Sequence, residues 1–235
     1  MKILALDTAL NACSVAIIEG ENIRAFSHEE RSRGHAETLL PLIQTLMEEA
    51  QFSFKDLDLI AVSVGPGTFT GLRIGLAAAR GLSLASSTPC IGVTTLEALA
   101  ASVKPEKAKG RPIVATADAR RKEIYTQSFA YQEKDVFPSP IGAAEAVPIE
   151  KADRAVPKRP FVILGNGAQL LMRAGKIQSE TCEILELDSN PDARLIAAIA
   201  SRRGLPPKGS PSPAPLYLRK PDAKLPGGID PTSKI

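Results

Sequence analysis

The stretch AVSVGPGTFTGLRIGLAAARGLSLA, residues 61–85, sets Gly65, Gly67 and Gly71 beside Thr68 and Arg73, the residue types that cradle a phosphate. Neither phosphate pattern is met. A P-loop needs Lys and then Ser or Thr after its last glycine, whereas Leu72 and Arg73 follow Gly71; in the dinucleotide spacing G-x-G-x-x-G, Thr70 occupies the final place. The structural reading is a tight Gly65-Pro66-Gly67 turn and a helix capped by Thr68. Inside that helix Gly71, Gly75, Ala78 and Ala85 recur three, four and seven apart, a row of small side chains on which another backbone can close. A helical glycine costs about 1 kcal/mol relative to alanine, so two within five residues call for a compensating contact. The spacing therefore favours close packing over phosphate binding.

The other chemistry-bearing residues are dispersed. Asp7 and Thr8 end an apolar run, KILALDT, and the following Ala9, Leu10, Asn11 and Ala12 include no glycine to bring backbone against a phosphate. His28 and His35 are the only histidines; they lie in a charged segment with Arg31 and Arg33 and no third ligand, the pattern of solvated or interface residues rather than a metal site. Cys13, Cys90 and Cys182 form no C-x-x-C, which fits buried thiols in a reducing compartment. No serine or cysteine has the context of a nucleophile elbow. Asp118 with Arg120, Arg121 and Lys122 makes a charged turn, either solvated or a contact for a partner. Gly165-Asn166-Gly167 reads as a turn before a helix.

The elements that must position these residues read as α/β. KILALD and CSVAII form a hairpin and NIRAFSHEE follows as a third strand. From Gly34 to Gln51 the period becomes helical, with Ala36, Leu39, Leu40, Leu42, Ile43, Leu46, Met47 and Ala50 covering an arc of roughly 160°, broader than a surface helix needs. Pro41 predicts a kink. DLIAVSV is a buried strand, the glycine segment a loop and long helix, and PCIGV a strand entering the helix TTLEALAAS. The Lys/Pro/Gly-rich VKPEKAKGRP marks a boundary, after which IVATADARRKEIYTQSFA repeats the opening theme of strand, aspartate, turn and strand. Residues 131–159 read as mostly irregular, FVILGNGAQLL as strand and helix, and PDARLIAAIASRRG as a helix stopped by Gly204. The tail from Leu205, with eight of the nineteen prolines, reads as extended. The expected division is 1–104, 105–204 and a tail of 205–235. At 235 residues with 44% hydrophobic residues and a net charge of +3, the chain can bury a sizeable aliphatic core and carries no dominant electrostatic footprint for nucleic acid. The N-terminus is too punctuated by Asp7 and Asn11 for a signal peptide, and no run reaches membrane-spanning length, so a cytoplasmic protein is expected.

Taken in order, ILALDTA with CSVAI, HAETLLPLI, SVGPGTFTGLRIG with ARGL, GVTTLEALA, DARRKEIY and PLYLR with PDAK resemble the successive signatures of the bacterial TsaB family, also called YeaZ. The resemblance is strongest over residues 1–125 and returns near 215–224. It implies a duplicated actin-like ATPase fold of the ribonuclease H-like class, two lobes of mixed sheet with helices. It also implies a non-catalytic scaffold that pairs with TsaD, the paralogue transferring threonylcarbamoyl from its adenylate to adenosine 37 of tRNA, with the ATPase TsaE as a further partner. The two metal-binding histidines of TsaD fall at Thr95 and Leu99, neither of which replaces imidazole. Asp7 and Thr8 match the place where actin-like ATPases organise metal-bound phosphate, which suggests a vestigial nucleotide site, and Gly165-Asn166-Gly167 an adenosine-site remnant. Arg120, Arg121 and Lys122 become candidate contacts for tRNA or a partner. The expected interface for TsaD, or for a homodimer when the chain is alone, is a helical face of Ala36, Leu39, Leu40, Ile43, Leu46, Gly71, Leu72, Gly75, Leu76 and Ala78. No tightly bound cofactor is expected, with a nucleotide at the partner interface left open. PLYLR is expected to dock along the body and the chain around Gly227-Gly228 to be mobile. An autonomous peptidase or ATPase, and a metabolite-binding module on the same fold, are the competing readings.

Overall fold

The structure, a computed structural model, describes residues 1–133, 135–177 and 180–219. The first lobe opens with β1 (Lys2–Asp7), β2 (Ala12–Glu19) and β3 (Asn22–Glu30), an antiparallel meander. Then come α1 (His35–Glu49), β4 (Leu59–Ser63), α2 (Phe69–Ser86), β5 (Cys90–Val93), α3 (Thr95–Ala101) and the short α4 (Pro105–Ala108). The second lobe repeats the theme with β6 (Ile113–Arg120), β7 (Glu123–Ala130), β8 (Ser139–Pro140), β9 (Glu145–Pro148), β10 (Phe161–Leu164), α5 (Asn166–Arg173), β11 (Cys182–Ile184) and α6 (Ala193–Arg203). The first sheet runs β3-β2-β1-β4-β5 and the second β8-β7-β6-β10-β11. In each, a hairpin is extended by two strands parallel to its first member. The two sheets thus share one strand order, as a duplicated α/β fold does.

Residues 131–159 hold more order than their composition suggests. The strand β9 pairs with β7, with Val147 opposite Ile124, and a 3-10 turn covers Ile149–Arg154. Four residues ending in proline are too few to display a period of two, so the register comes from β7. Helix α1 runs unbroken through Pro41. The expected division at residues 105–204 is crossed by α6, whose Ile196, Ala197 and Ala200 lie in one core with Ile3, Ala5, Ala16 and Leu59 of the first sheet. Ser14 Oγ accepts the Ala193 N–H at 3.0 Å, tying the start of α6 to β2.

Strand β1 is apolar on both faces because it is covered on both. Leu4 and Leu6 meet Leu39, Ile43 and Leu46 of α1 and Leu76 of α2, while Ile3 and Ala5 meet α6. A third core joins the lobes: Ala9, Leu10, Leu72, Leu96, Leu99 and Val103 pack with Ile113, Ala115, Ala117 and Phe129.

The glycines of α2 serve the approach of this helix to the β1–β2 turn. A Cβ on Gly71 would overlap the Thr8 carbonyl oxygen, and one on Gly75 would lie 2.7 Å from Thr8 Oγ1. Thr8 Oγ1 donates to the Gly71 carbonyl at 2.7 Å, and the Thr68 N–H donates to the Ala9 carbonyl at 2.8 Å. Thr68 also caps the helix by accepting the Gly71 N–H. Gly81, on the same helix, has nothing within 4 Å of its missing Cβ. Gly71→Ala is therefore expected to destabilise the chain by about 1–3 kcal/mol through overpacking against backbone. Gly81→Ala should stabilise it by about 0.4–1 kcal/mol through helix propensity and the unfolded state. Urea denaturation of the two variants checks the contrast, and equal effects would contradict it.

Candidate functional site

The duplication brings its two hairpin turns face to face between the lobes. Asp7 is fully buried; the Ala9 N–H donates to Oδ1 at 3.2 Å, the Ser63 hydroxyl is a further partner, and Oδ2 has none among the described residues. Burial pushes its carboxyl up from 3.8 to about 7, against the smaller opposing effect of those hydrogen bonds. Opposite, the Asp118 N–H donates to Asn166 Oδ1 at 2.7 Å, and Asp118 accepts from the Arg120 backbone at 2.7 Å and pairs with its guanidinium at 3.2 Å. The chain turns through Arg120, Arg121 and Lys122 with φ of 64°, 52° and 63°, a left-handed run that projects a basic corner. Gly165 and Gly167 lie against Thr116 much as Gly71 and Gly75 lie against Thr8, so the Gly-Asn-Gly segment seats α5 on the second hairpin. The cavity between the turns, lined by Leu10, Asn11, Thr68, Asp118, Arg120 and Asn166, holds about 40 Å3. Small-molecule pockets start near ~300 Å3.

The expected interface row divides into two sets. Leu39, Ile43, Leu46, Gly71, Leu72, Gly75 and Leu76 are buried against the chain's own sheet and turn, while Ala36 and Leu40 are exposed and Ala78 is half-buried. The reading of Gly71 and Gly75 as the seat of a partner's helix is corrected: that space is taken by Thr8. The broad apolar arc of α1 has the same explanation, since it faces both the sheet and α2. What remains outside is a groove of about 410 Å3 beside Leu40, Gln44, Glu48, Phe52 and Leu82, with Leu40 53% exposed. Phe69 and Leu84 on α2 are also exposed, Leu84 at 85%. Sequence reasoning missed both; an apolar side chain off the small-residue row of a helix is the signal that could have found them.

The described part of the tail, up to Arg219, lies against the body. The Leu216 N–H donates to the Val64 carbonyl at 2.7 Å, Arg80 donates to the Pro213 carbonyl, and Arg219 donates to the Ala119 carbonyl at 2.9 Å. Tyr217 lies 6.0 Å from Phe69, whose ring carries the Arg73 guanidinium at 3.6 Å. The matched residues PDAK and the Gly227-Gly228 stretch lie outside the described residues. His28 Nε2 lies 2.9 Å from an Asp188 carboxylate oxygen, and His35, at the start of α1, has its pKa lowered by burial. Among the described residues no three of His, Cys, Asp and Glu gather at metal-binding range. Thr95 and Leu99 are buried, and Leu99 belongs to the core between the lobes. Burial raises the thiols of Cys13 and Cys182 to about 11 and that of Cys90 to about 12. No helix of the described residues is long and apolar enough to cross a membrane.

Asp7 gives a pH signature. Its carboxyl holds a proton more tightly in the folded chain, so its contribution to stability is complete below about pH 4 and is lost as pH rises through about 7. A rise from 3.8 to about 7 corresponds to about 4 kcal/mol. Asp7→Asn should therefore gain on the parent by that order between pH 4 and pH 8 in urea titrations, and a constant difference would contradict the assignment.

A family model described as TsaD: tRNA N6-adenosine threonylcarbamoyltransferase matches residues 26–147. The chain is 36% identical over 137 residues to the tRNA threonylcarbamoyladenosine biosynthesis protein TsaB of Escherichia coli K12, a match covering 58% of this chain and 58% of that relative's length. It is 29% identical over 185 residues to the protein of the same name from Buchnera aphidicola of Schizaphis graminum, covering 78% and 87%. Among solved structures, YeaZ from Pseudomonas aeruginosa aligns with a TM-score of 0.76 at 28% identity, over 92% of this chain and 99% of that one. Together these matches place the chain in the TsaB (YeaZ) family.

Proposed function

We propose that the chain is a non-catalytic accessory subunit in the formation of threonylcarbamoyladenosine on tRNA, contributing a surface to a TsaD partner rather than reacting groups. The observation that carries the reading is a contrast. The cavity between the two hairpin turns, where a catalytic relative would hold its nucleotide, has about 40 Å3, and Asp7 is buried behind it outside its lining, whereas a groove of about 410 Å3 lies open beside α1 and α2. The names borne by the relatives point to the same pathway.

In this reading Ala36 and Leu40, with Leu82 at the groove's wall, meet helices of TsaD, and the buried Leu39, Ile43, Leu46, Leu72 and Leu76 hold that face in shape from beneath. TsaD performs the transfer of threonylcarbamoyl from its adenylate to adenosine 37, TsaE joins the assembly, and tRNA is met through the complex, with Arg120, Arg121 and Lys122 as this chain's contribution to that contact. A nucleotide, where one is used, lies at the partner interface. Without TsaD the same face pairs with a second copy.

Leu40→Glu tests this. The side chain is 53% exposed, so the variant should fold, while placing a carboxylate in a buried interface should weaken capture of purified TsaD by tenfold or more and shift any homodimer to monomer. Unchanged capture by the folded variant would move the interface elsewhere.

A further inference from the structure

The second lobe carries a cavity that the partner-binding reading leaves unused. It measures about 370 Å3 and lies between β7, β9 and the segment that leaves the 3-10 turn at Arg154. Thr126 and Ser128, two apart on β7, present their side chains to one face of the sheet and both line it. Thr126 is 2% exposed and its hydroxyl has no partner among the described residues. Ser128 beside it is partly exposed, so its hydroxyl is the one the cavity reaches. The rim is held in place by Gln127, whose amide donates to the Gly142 carbonyl at 2.9 Å. Arg154 and Arg159, both exposed, also line the cavity. Neither makes an ion pair with a described residue, whereas Arg111, Arg194 and Arg203 each do. Glu145 is the one carboxylate in the lining, so two guanidinium groups outweigh it.

We propose that this cavity binds a small phosphomonoester. Two planar guanidinium forks and a hydroxyl donor suit the three terminal oxygens of a phosphate better than the two of a carboxylate, and the volume accommodates a molecule of sugar-phosphate size. Arg154 and Arg159 take the phosphate, and the Ser128 hydroxyl bonds an oxygen that points to the sheet.

The test is calorimetric titration of the full chain at low salt with ribose 5-phosphate, and with succinate as the carboxylate counterpart. Saturable one-to-one binding of ribose 5-phosphate is expected, weakened at least tenfold in Arg154→Gln and in Arg159→Gln, both on the exposed segment and without effect on folding. Ser128→Ala should weaken binding several-fold while leaving the melting temperature of the unliganded chain unchanged. Absence of saturable binding, affinity unchanged in the two arginine variants, or succinate bound as tightly as the sugar phosphate would each overturn the proposal.

Discussion

The approach of α2 to the β1–β2 turn is the contact on which the first lobe depends. Thr8 and Ala9 offer carbonyls and a hydroxyl at a distance that only glycine at positions 71 and 75 permits, and the resulting hydrogen bonds satisfy backbone groups that the sheet leaves behind. That single seat fixes how far α2 stands from the sheet. It thereby places Leu76 in the core and Leu82 at the surface groove beside α1. The second lobe solves the same problem with Gly165 and Gly167 against Thr116, which is how a duplicated fold looks when the packing, as well as the strand order, has been kept.

Filling the cleft follows from the same contact. With Thr68 bonded to Ala9 and Leu72 turned into the core that joins the lobes, helix α2 stands directly against the first hairpin turn. Asp7 beside it is fully buried, and burial pushes its carboxyl up to about 7. The tail adds a further tie, running from Val64 in one lobe to Ala119 in the other.

Much of this was legible in the sequence, and where it was not the reason is physical. The hairpins, the long helix and the duplication showed because period, turn residues and length agreed at Asp7, Gly20 and Asp118. The glycines of α2 showed as a close-packing device, but a row of small residues does not say whose backbone it admits, and the neighbour lay 63 residues earlier at Thr8. For the same reason Leu39, Ile43 and Leu46 read as an interface although they belong to the core: a wide apolar arc is equally the mark of a helix covered on two sides. Helix α6 was seen as a helix and assigned to the wrong neighbours, since its Ala-rich face carries no label for the sheet it covers. Strand β9 depends on pairing with β7 and leaves almost no local trace.

The central claim is that this chain supplies surface and not reacting groups. Its most direct test is the reconstituted formation of threonylcarbamoyladenosine by TsaD and TsaE, quantified on tRNA with the chain present, omitted, or replaced by folded Asp7→Asn. A scaffold predicts loss of product on omission and full product with Asp7→Asn. Loss of product with an Asp7→Asn chain that still folds and binds TsaD would contradict it and return the first hairpin turn to catalysis.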